Sequence, residues 1–479
     1  MIISIAKREL YDNTMSLRFA LIALLMLTVM VANAAVSLGT YNEHISHYRR
    51  RVAHELKEMR QHAEHFPILV LYGPGELHKM PSALSFCANG GEAFLSTKTD
   101  GRPLERWWGD YPARFNGIWR MTYPQSNPNQ WNFLPESTQM DWAFLIGIVL
   151  SFSAILFTFD AISGERTRGT LRLMLANSVP RHVVLGGKFL GALMSIGLPF
   201  LMAVLVNLFL LYSSGSIRLD TSDWVRLGAI VLIGFVYIAI FITLGLLISS
   251  RARQSSSSLM VFTLIWVVWV ILVPNTAGLL ARSLKPAMTS DEFRERREEL
   301  YQQVTQKYLD RGLLDSYFDP REIPPTKIAL LWGEYHLEES LSDERFLEEH
   351  LRAQLDQVVI ARSLARLSPT AVVQYAIESL AGTGFSRHLQ FLSQVKIYVS
   401  EFRDFLVEVD KADPKSPHVL FFRPAMSWEP VPFETIPKFQ DRYSFGDSLN
   451  DATVDVLLLV LVFVMLSAAV FLSFLRVDI

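Results

Sequence analysis

Residues 227–250 read LGAIVLIGFVYIAIFITLGLLISS, 24 residues without an Asp, Glu, Lys or Arg. A bilayer hydrocarbon core about 30 Å thick is crossed by roughly 20 apolar residues of helix, so this stretch is long enough to span it. Five more charge-free stretches lie on either side, at 19–42, 142–159, 189–217, 254–281 and 456–475. All of the charge is therefore confined to the segments between and beyond them. The whole chain is 479 residues, 50% hydrophobic and 19% charged, with a mean hydropathy of +0.24. That balance excludes a disordered chain, a secreted disulfide scaffold and a soluble globular enzyme. A net charge of −2 supplies no field that would recruit nucleic acid. Cys87 is the single cysteine, which excludes an intrachain disulfide and a thiolate-clustered zinc or iron–sulfur site.

Orientation follows from the basic residues of the short loops, which control insertion. With the N-terminus in the cytoplasm, the inner side receives Lys7, Arg8, Arg18, Arg166, Arg168, Arg172, Arg181, Lys188, Arg251, Arg253 and Arg476. The short outer loop from Ser213 to Trp224 holds only Arg218. Ala32-Asn33-Ala34 imitates a signal-peptidase site, but the leader before it is long and carries Glu9 and Asp12. The expected architecture is a mainly α membrane protein with six transmembrane helices and both termini cytoplasmic. Its segments are 1–18, an amphipathic cytoplasmic helix; spans at 19–42, 142–159, 189–213, 227–250, 254–281 and 456–475; a cytoplasmic segment at 160–188; and extracytoplasmic regions at 43–141 and 282–455.

The first outer region reads as a small α+β domain. A polar helix from Tyr41 to His65 continues the first span and stops before Pro67, followed by β-like Ile68 to Tyr72 and turns at Gly73-Pro74-Gly75 and Asn89-Gly90-Gly91. The second reads as larger and mostly helical. Ser290 is placed to cap a helix closed by Gly312, a second helix carrying Leu337, Leu341, Phe346, Leu347, Leu351, Leu355 and Val358 ends before Pro369, and the two form a hairpin. Ala371 to Val409 reads as a further helix, and the proline-rich 414–437 as an ordered loop.

Catalytic motifs do not emerge. Gly186-Gly187-Lys188-Phe189 lacks the earlier glycine and the following Ser or Thr of a phosphate-binding loop, so Lys188 reads as an interfacial anchor and the chain as unable to hydrolyse ATP alone. No G-x-S-x-G or H-E-x-x-H pattern occurs, and the chain does not read as an enzyme. His44, His47, His54, His62 and His65 share one helix stripe roughly 80° wide. Only His44 with His47 and His62 with His65 are close enough to share an ion, and the pairs lie about 27 Å apart by helix rise, which makes them weak metal candidates.

The informative segment is DAISGERTRGTLRLMLANSVPR, residues 160–181. Ser163 is placed to cap a short amphipathic helix with Glu165 in its first turn and basic residues alternating with Leu171, Leu173, Met174 and Leu175. Such a helix is suited to a groove on a cytoplasmic partner, or to lying on the membrane surface. Together with GKFLG at 187–191 this stretch resembles the signature of type-2 ABC transporter permeases, and six spans with both ends inside match that family's topology. The amphipathic Ile2 to Arg18 would be its elbow helix. The large insertions are similar to those of a bacterial subgroup related to gliding-motility and copper-site-maturation permeases, with PSALSF at 81–86, SPTA at 368–371 and LAGTG at 380–384 carrying that likeness.

The resemblance implies a permease subunit of the bacterial inner membrane that pairs with a second copy or a sister permease and binds two separate ABC ATPase subunits. ATP and magnesium would sit on those subunits, with no cofactor in this chain. The residues expected at the ATPase-coupling interface are Glu165, Arg166, Arg168, Gly169, Thr170, Leu171 and Arg172, with Arg251 and Arg253 beside them. The outer regions would be free to bind an envelope protein. A non-transporting scaffold or sensor using those outer regions is the competing class.

Overall fold

The computed structural model describes residues 1–89, 98–102, 107–108, 111–112, 120–122, 140–170, 180–286, 288–313, 326–420 and 426–475. The chain opens with α1 (Ile2–Thr14). Ser16, whose hydroxyl accepts from the Phe19 N–H, caps α2 (Leu17–His62). At 1.5 Å per residue those 46 residues extend about 69 Å, more than twice a hydrocarbon core, so α2 is span and projecting stalk at once. After α3 (Phe66–Tyr72) come the short strands β1 (Leu77–His78), β2 (Lys98–Arg102), β3 (Trp107–Trp108), β4 (Tyr111–Pro112) and β5 (Arg120–Thr122). They pair antiparallel as β1-β2-β5 and β3-β4.

The second span, α4, covers residues 142–158 as Trp142–Phe144, π-helical Leu145–Leu150 and Ser151–Thr158. Then follow α5 (Ser163–Thr167), α6 (Arg181–Ser213) and α7 (Thr221–Arg251). The fifth span, α8 (Ser255–Leu284), also has a π-helical centre, Val267–Leu272. Beyond it are α9 (Ser290–Leu309), α10 (Thr326–Ala365), α11 (Pro369–Ala381), α12 (Gly384–Ala412) and α13 (Phe445–Leu475). Among the described residues, six helices are long and apolar enough to cross a membrane: α2, α4 with its extension to Thr167, α6, α7, α8 and α13. The chain is thus a mainly helical, six-span, multi-pass membrane protein. Both termini lie at one end of the bundle, because Arg181 at the start of α6 donates to carbonyls of Phe474 and Leu475 while α1 packs along α6.

Three local expectations are corrected. Ile68 to Tyr72 is helical, because Pro67 in the first turn presets helical backbone and the face carrying Phe66, Leu69 and Val70 is buried. The cap of α9 is Thr289, which forms a reciprocal box with Glu292, so Ser290 falls inside the helix. Residues 371–409 are two helices: Gly382 and Gly384 both adopt positive φ, +68° and +77°, which stops α11 and starts α12 in a new direction.

The two insertions share one core. Met59, Ala63, Phe66, Leu69 and Leu77 of the first insertion pack with Phe391, Val395, Tyr398 and Phe402 of α12 and with Met426, Val431 and Ile436 of the returning loop. The hairpin of α9 and α10 is closed by Phe293 stacked on Phe346 with ring centroids 5.1 Å apart and by a two-pronged Arg297–Asp343 pair at 2.7 and 2.9 Å.

The second insertion also descends into the bundle. Val372, Val373, Ala376, Ile377 and Leu380 of α11 belong to the same core as the spans. Ser368 donates to the Trp269 carbonyl in the π-segment of α8, and Thr370 Oγ1 lies 2.7 Å from the Tyr237 hydroxyl, which donates to Gly147 O in the π-segment of α4. A π-helical turn breaks the regular carbonyl ladder, and hydroxyls of the inserted helix and of α7 meet it there. Charges accompany the descent in pairs: Arg366 holds Asp455 at 2.6 and 3.1 Å, and Arg362 lies 3.4 Å from buried Glu378 and 3.6 Å above the Tyr375 ring. Buried charge at this depth persists only when paired.

Candidate functional site

The site is built at the end of the bundle that carries both termini. A turn at 159–162 leads from α4 into α5, whose start is stitched to neighbouring spans. The N–H groups of Ile162 and Ser163 both donate to Ser249 Oγ at 3.0 Å, and Ser163 Oγ lies 3.3 Å from Ser255 Oγ. Ser163 therefore does not cap the helix as its position suggested. It sits inside the first turn, buried, and donates back to the Phe159 carbonyl. The expected helix is interrupted within the described residues, while Leu171, Leu173, Met174 and Leu175 lie outside them. α5 ends at Thr167, and Gly169 takes a left-handed φ of +77°.

Arg166 and Glu165 fasten α5 on two sides. Arg166 donates to the carbonyls of Ser250 and Ala252, both at 2.9 Å, and so satisfies the end of α7, where carbonyls lack intrahelical partners. Glu165 accepts from Lys188 Nζ at 2.8 Å, and Lys188 donates equally to Glu9 of α1 at 2.8 Å. The Lys188 side chain is 2% exposed. This corrects its reading as an interfacial anchor: the lysine does not reach to the headgroups but is buried between carboxylates from two other elements.

Gly187 and Gly191 make that approach possible. A Cβ on Gly187 would fall 2.6 Å from the Ile5 side chain, and one on Gly191 would fall 2.5 Å from Glu9 Cβ. Small residues four apart let a second helix lie directly on the backbone, and the spacing G-x-x-x-G is legible in the sequence. The elbow-like α1 is thus seated on α6, and Arg18 just beyond it donates to the Leu156 carbonyl at 3.1 Å and lies 3.7 Å from Asp160.

Of the residues expected to meet an ATPase, Arg168, Gly169 and Thr170 are exposed, as is Arg253. Thr170 Oγ1 donates to the Glu165 carbonyl at 3.2 Å. Arg251 donates to Ser473 Oγ at 3.1 Å, joining α7 to the end of α13. Leu171 and Arg172 lie outside the described residues. Sequence reasoning singled out Glu165 and Arg166 but missed that both are engaged within the chain, and it named Glu9, Gly187 and Gly191 without seeing that they pack α1 against α6.

Four of the five histidines of the stripe lie on α2. His44 and His47 are exposed, His62 stacks on Tyr72 at 5.0 Å, and His65 precedes α3. Among the described residues, Glu55, Glu76 and His78 gather their ligand-type atoms within 4.8 Å. Lys98 Nζ at 2.6 Å and Arg51 at 3.2 Å already neutralise Glu76, and Glu55 accepts the Glu76 N–H at 3.1 Å, so protein cations hold the position a metal would need.

No curated protein matches the chain significantly. Residues 3–479 match the family described as ABC-2 family transporter protein. With six spans, an N-terminal helix seated on the third and an exposed turn after the second, the chain belongs to that family and is a membrane subunit of a transporter.

Proposed function

We propose that this protein is the permease of an ATP-driven export or mechanotransducing system in a bacterial inner membrane, with both termini in the cytoplasm. Two separate ABC ATPase subunits, carrying ATP and magnesium, bind at the segment around α5, and a second copy or a sister permease completes the pore. The outer core of α12 and the first insertion then faces away from the ATPases and is available to an envelope protein. The observation that carries this reading is the segment 163–170: its start is bound to three other elements, while Arg168, Gly169 and Thr170 are left exposed at the end of the bundle. A loop that only joined two spans would not need such anchoring.

The direct test is Leu171→Asp in the full chain co-expressed with its ATPase. Burying an unpaired charge in the binding groove costs at least a few kcal/mol. The variant is expected to insert at normal level, because its basic loop residues remain, and to lose ATPase co-purification or stimulation of ATP turnover. Retention of both would refute the assignment.

A further inference from the structure

Glu165 and Arg166 are sequence neighbours fastened to different parts of the bundle. Arg166 grips the end of α7, whereas Glu165 reaches α6 through Lys188. Lys188 is 2% exposed and carries Glu9 of α1 on its other side, both ion pairs at 2.8 Å. Among the described residues α1 and α5 are joined by hydrogen bonds only through this one ammonium. Replacing buried ion pairs by apolar side chains is often neutral or stabilising, so stability alone does not account for such a group. What the arrangement does supply is fixed geometry between two short helices that otherwise have no bond to each other.

We infer that Lys188 is a positioning residue that ties α1 and α5 into one lever on the third span. Displacement of 163–170 then moves α1 and α6 as a unit, while Arg166 delivers the same displacement to α7. The elbow-like helix then transmits force to the third span and is more than a membrane anchor. The inference rests on the reading of this segment as the ATPase contact.

The test uses the full chain with its ATPase in nanodiscs, with spin labels on Asp12→Cys in α1 and Thr167→Cys in α5. Cys87 is fully buried and does not compete for label. Glu9→Gln and Lys188→Met are compared with the parent for ATPase affinity, for chain-dependent ATP turnover and for the 12–167 distance distribution with and without ATP and vanadate. Both variants are expected to keep ATPase affinity within twofold, to lose tenfold or more of the stimulated turnover and to broaden the distance distribution. Lys188→Arg, which keeps the charge, recovers the turnover. Unchanged turnover with a narrow distribution overturns the inference. Loss of affinity in proportion to turnover also overturns it, because that is the signature of a displaced interface. If Lys188→Met does not fold, Glu9→Gln decides by the same criteria, since it leaves the Lys188–Glu165 pair in place. If the parent chain itself fails to bind an ATPase, the functional reading falls instead.

Discussion

Adjacent glycines on α6 give a contrast whose sign can be worked out in advance. Gly186 and Gly187 both lie in the first turns of the helix, so replacing either by Ala gains the same helix propensity, about 1 kcal/mol. Their surroundings differ. At Gly186 the nearest atom to an added Cβ is Ile2 Cδ1 at 3.9 Å, an ordinary contact. At Gly187 the Cβ meets Ile5 Cβ and Cγ2 at 2.6 Å with the Ile2 carbonyl at 3.3 Å behind them. Carbon atoms pack at about 3.5–4.0 Å, so α1 must withdraw by about 1 Å. Overpacking of this kind costs about 1–3 kcal/mol.

Because the propensity gain is common to both, the difference between Gly186→Ala and Gly187→Ala isolates the clash, about 1–3 kcal/mol against the latter. Gly187→Ala with Gly191→Ala adds a second collision, 2.5 Å from Glu9 Cβ, and is expected to unseat α1. The assay is denaturant unfolding of the purified chain, paired with the rate of tryptic cleavage after Lys7 and Arg8, which a seated helix resists. Equal stability of the two single variants, with unaltered cleavage in the double variant, would refute the tight seating of α1 on α6.

Two further outcomes are expected. Cysteines placed at the exposed positions Ala53 and Gln303 should react with an impermeant reagent from outside the inner membrane and one at Arg253 should not; labelling of position 253 from outside reverses the orientation. Asp141, which caps α4 through the Phe144 N–H at 2.8 Å, has its carboxyl pushed up from 3.8 to about 6 by burial, which outweighs the lowering N–H bonds from Phe144 and Asn89 and is helped by the Glu378 charge. The folded state then binds the proton more tightly than the unfolded chain, so this group's contribution is complete below about pH 4 and is lost as the pH rises through 6. Parent protein should gain on the order of 2–3 kcal/mol at pH 4 relative to pH 7 from this group, and Asp141→Asn should lack that increment; identical pH profiles would contradict it.

The spans were legible because their physics is local: a run without charge long enough for the bilayer needs no knowledge of the rest of the chain. The descent of α11 was not. Ser368 to Leu380 is apolar enough to enter the bundle but carries Glu378 and follows Arg362 and Arg366, and a reading along the sequence counts those charges as evidence for water. Only their partners reverse the inference. Asp455 is 1% exposed and lies in the sixth span, 89 residues from Arg366, a separation at which no spacing rule announces a pair. The same holds for the outer core, where Phe66 and Leu69 become helical because α12, more than three hundred residues later, covers them.

At the terminal end of the bundle the limit was of another kind. The residue types at 160–172 and at 187–191 were read as one signature, but the bonds within the chain were not: Glu165 and Arg166 are engaged by neighbouring spans, and a lysine taken as an anchor at the headgroups is buried. A charge read alone has two explanations, a solvent-facing one and a paired one, and hydropathy weighs only the first. Gly187 and Gly191 contain the missing information, because glycines four apart on a spanning helix imply that another backbone lies against them. Lys188 falls between them, on a helix with an element seated that closely, so it must either point away or find acids on the neighbour. Glu9 occurs one helical turn from Ile5, the side chain that fills the space above Gly187, and Glu165 opens the only other segment bonded to Lys188 among the described residues. The close approach of α1 thus comes first, the burial of the ammonium follows from it, and the engagement of Glu165 follows from the burial.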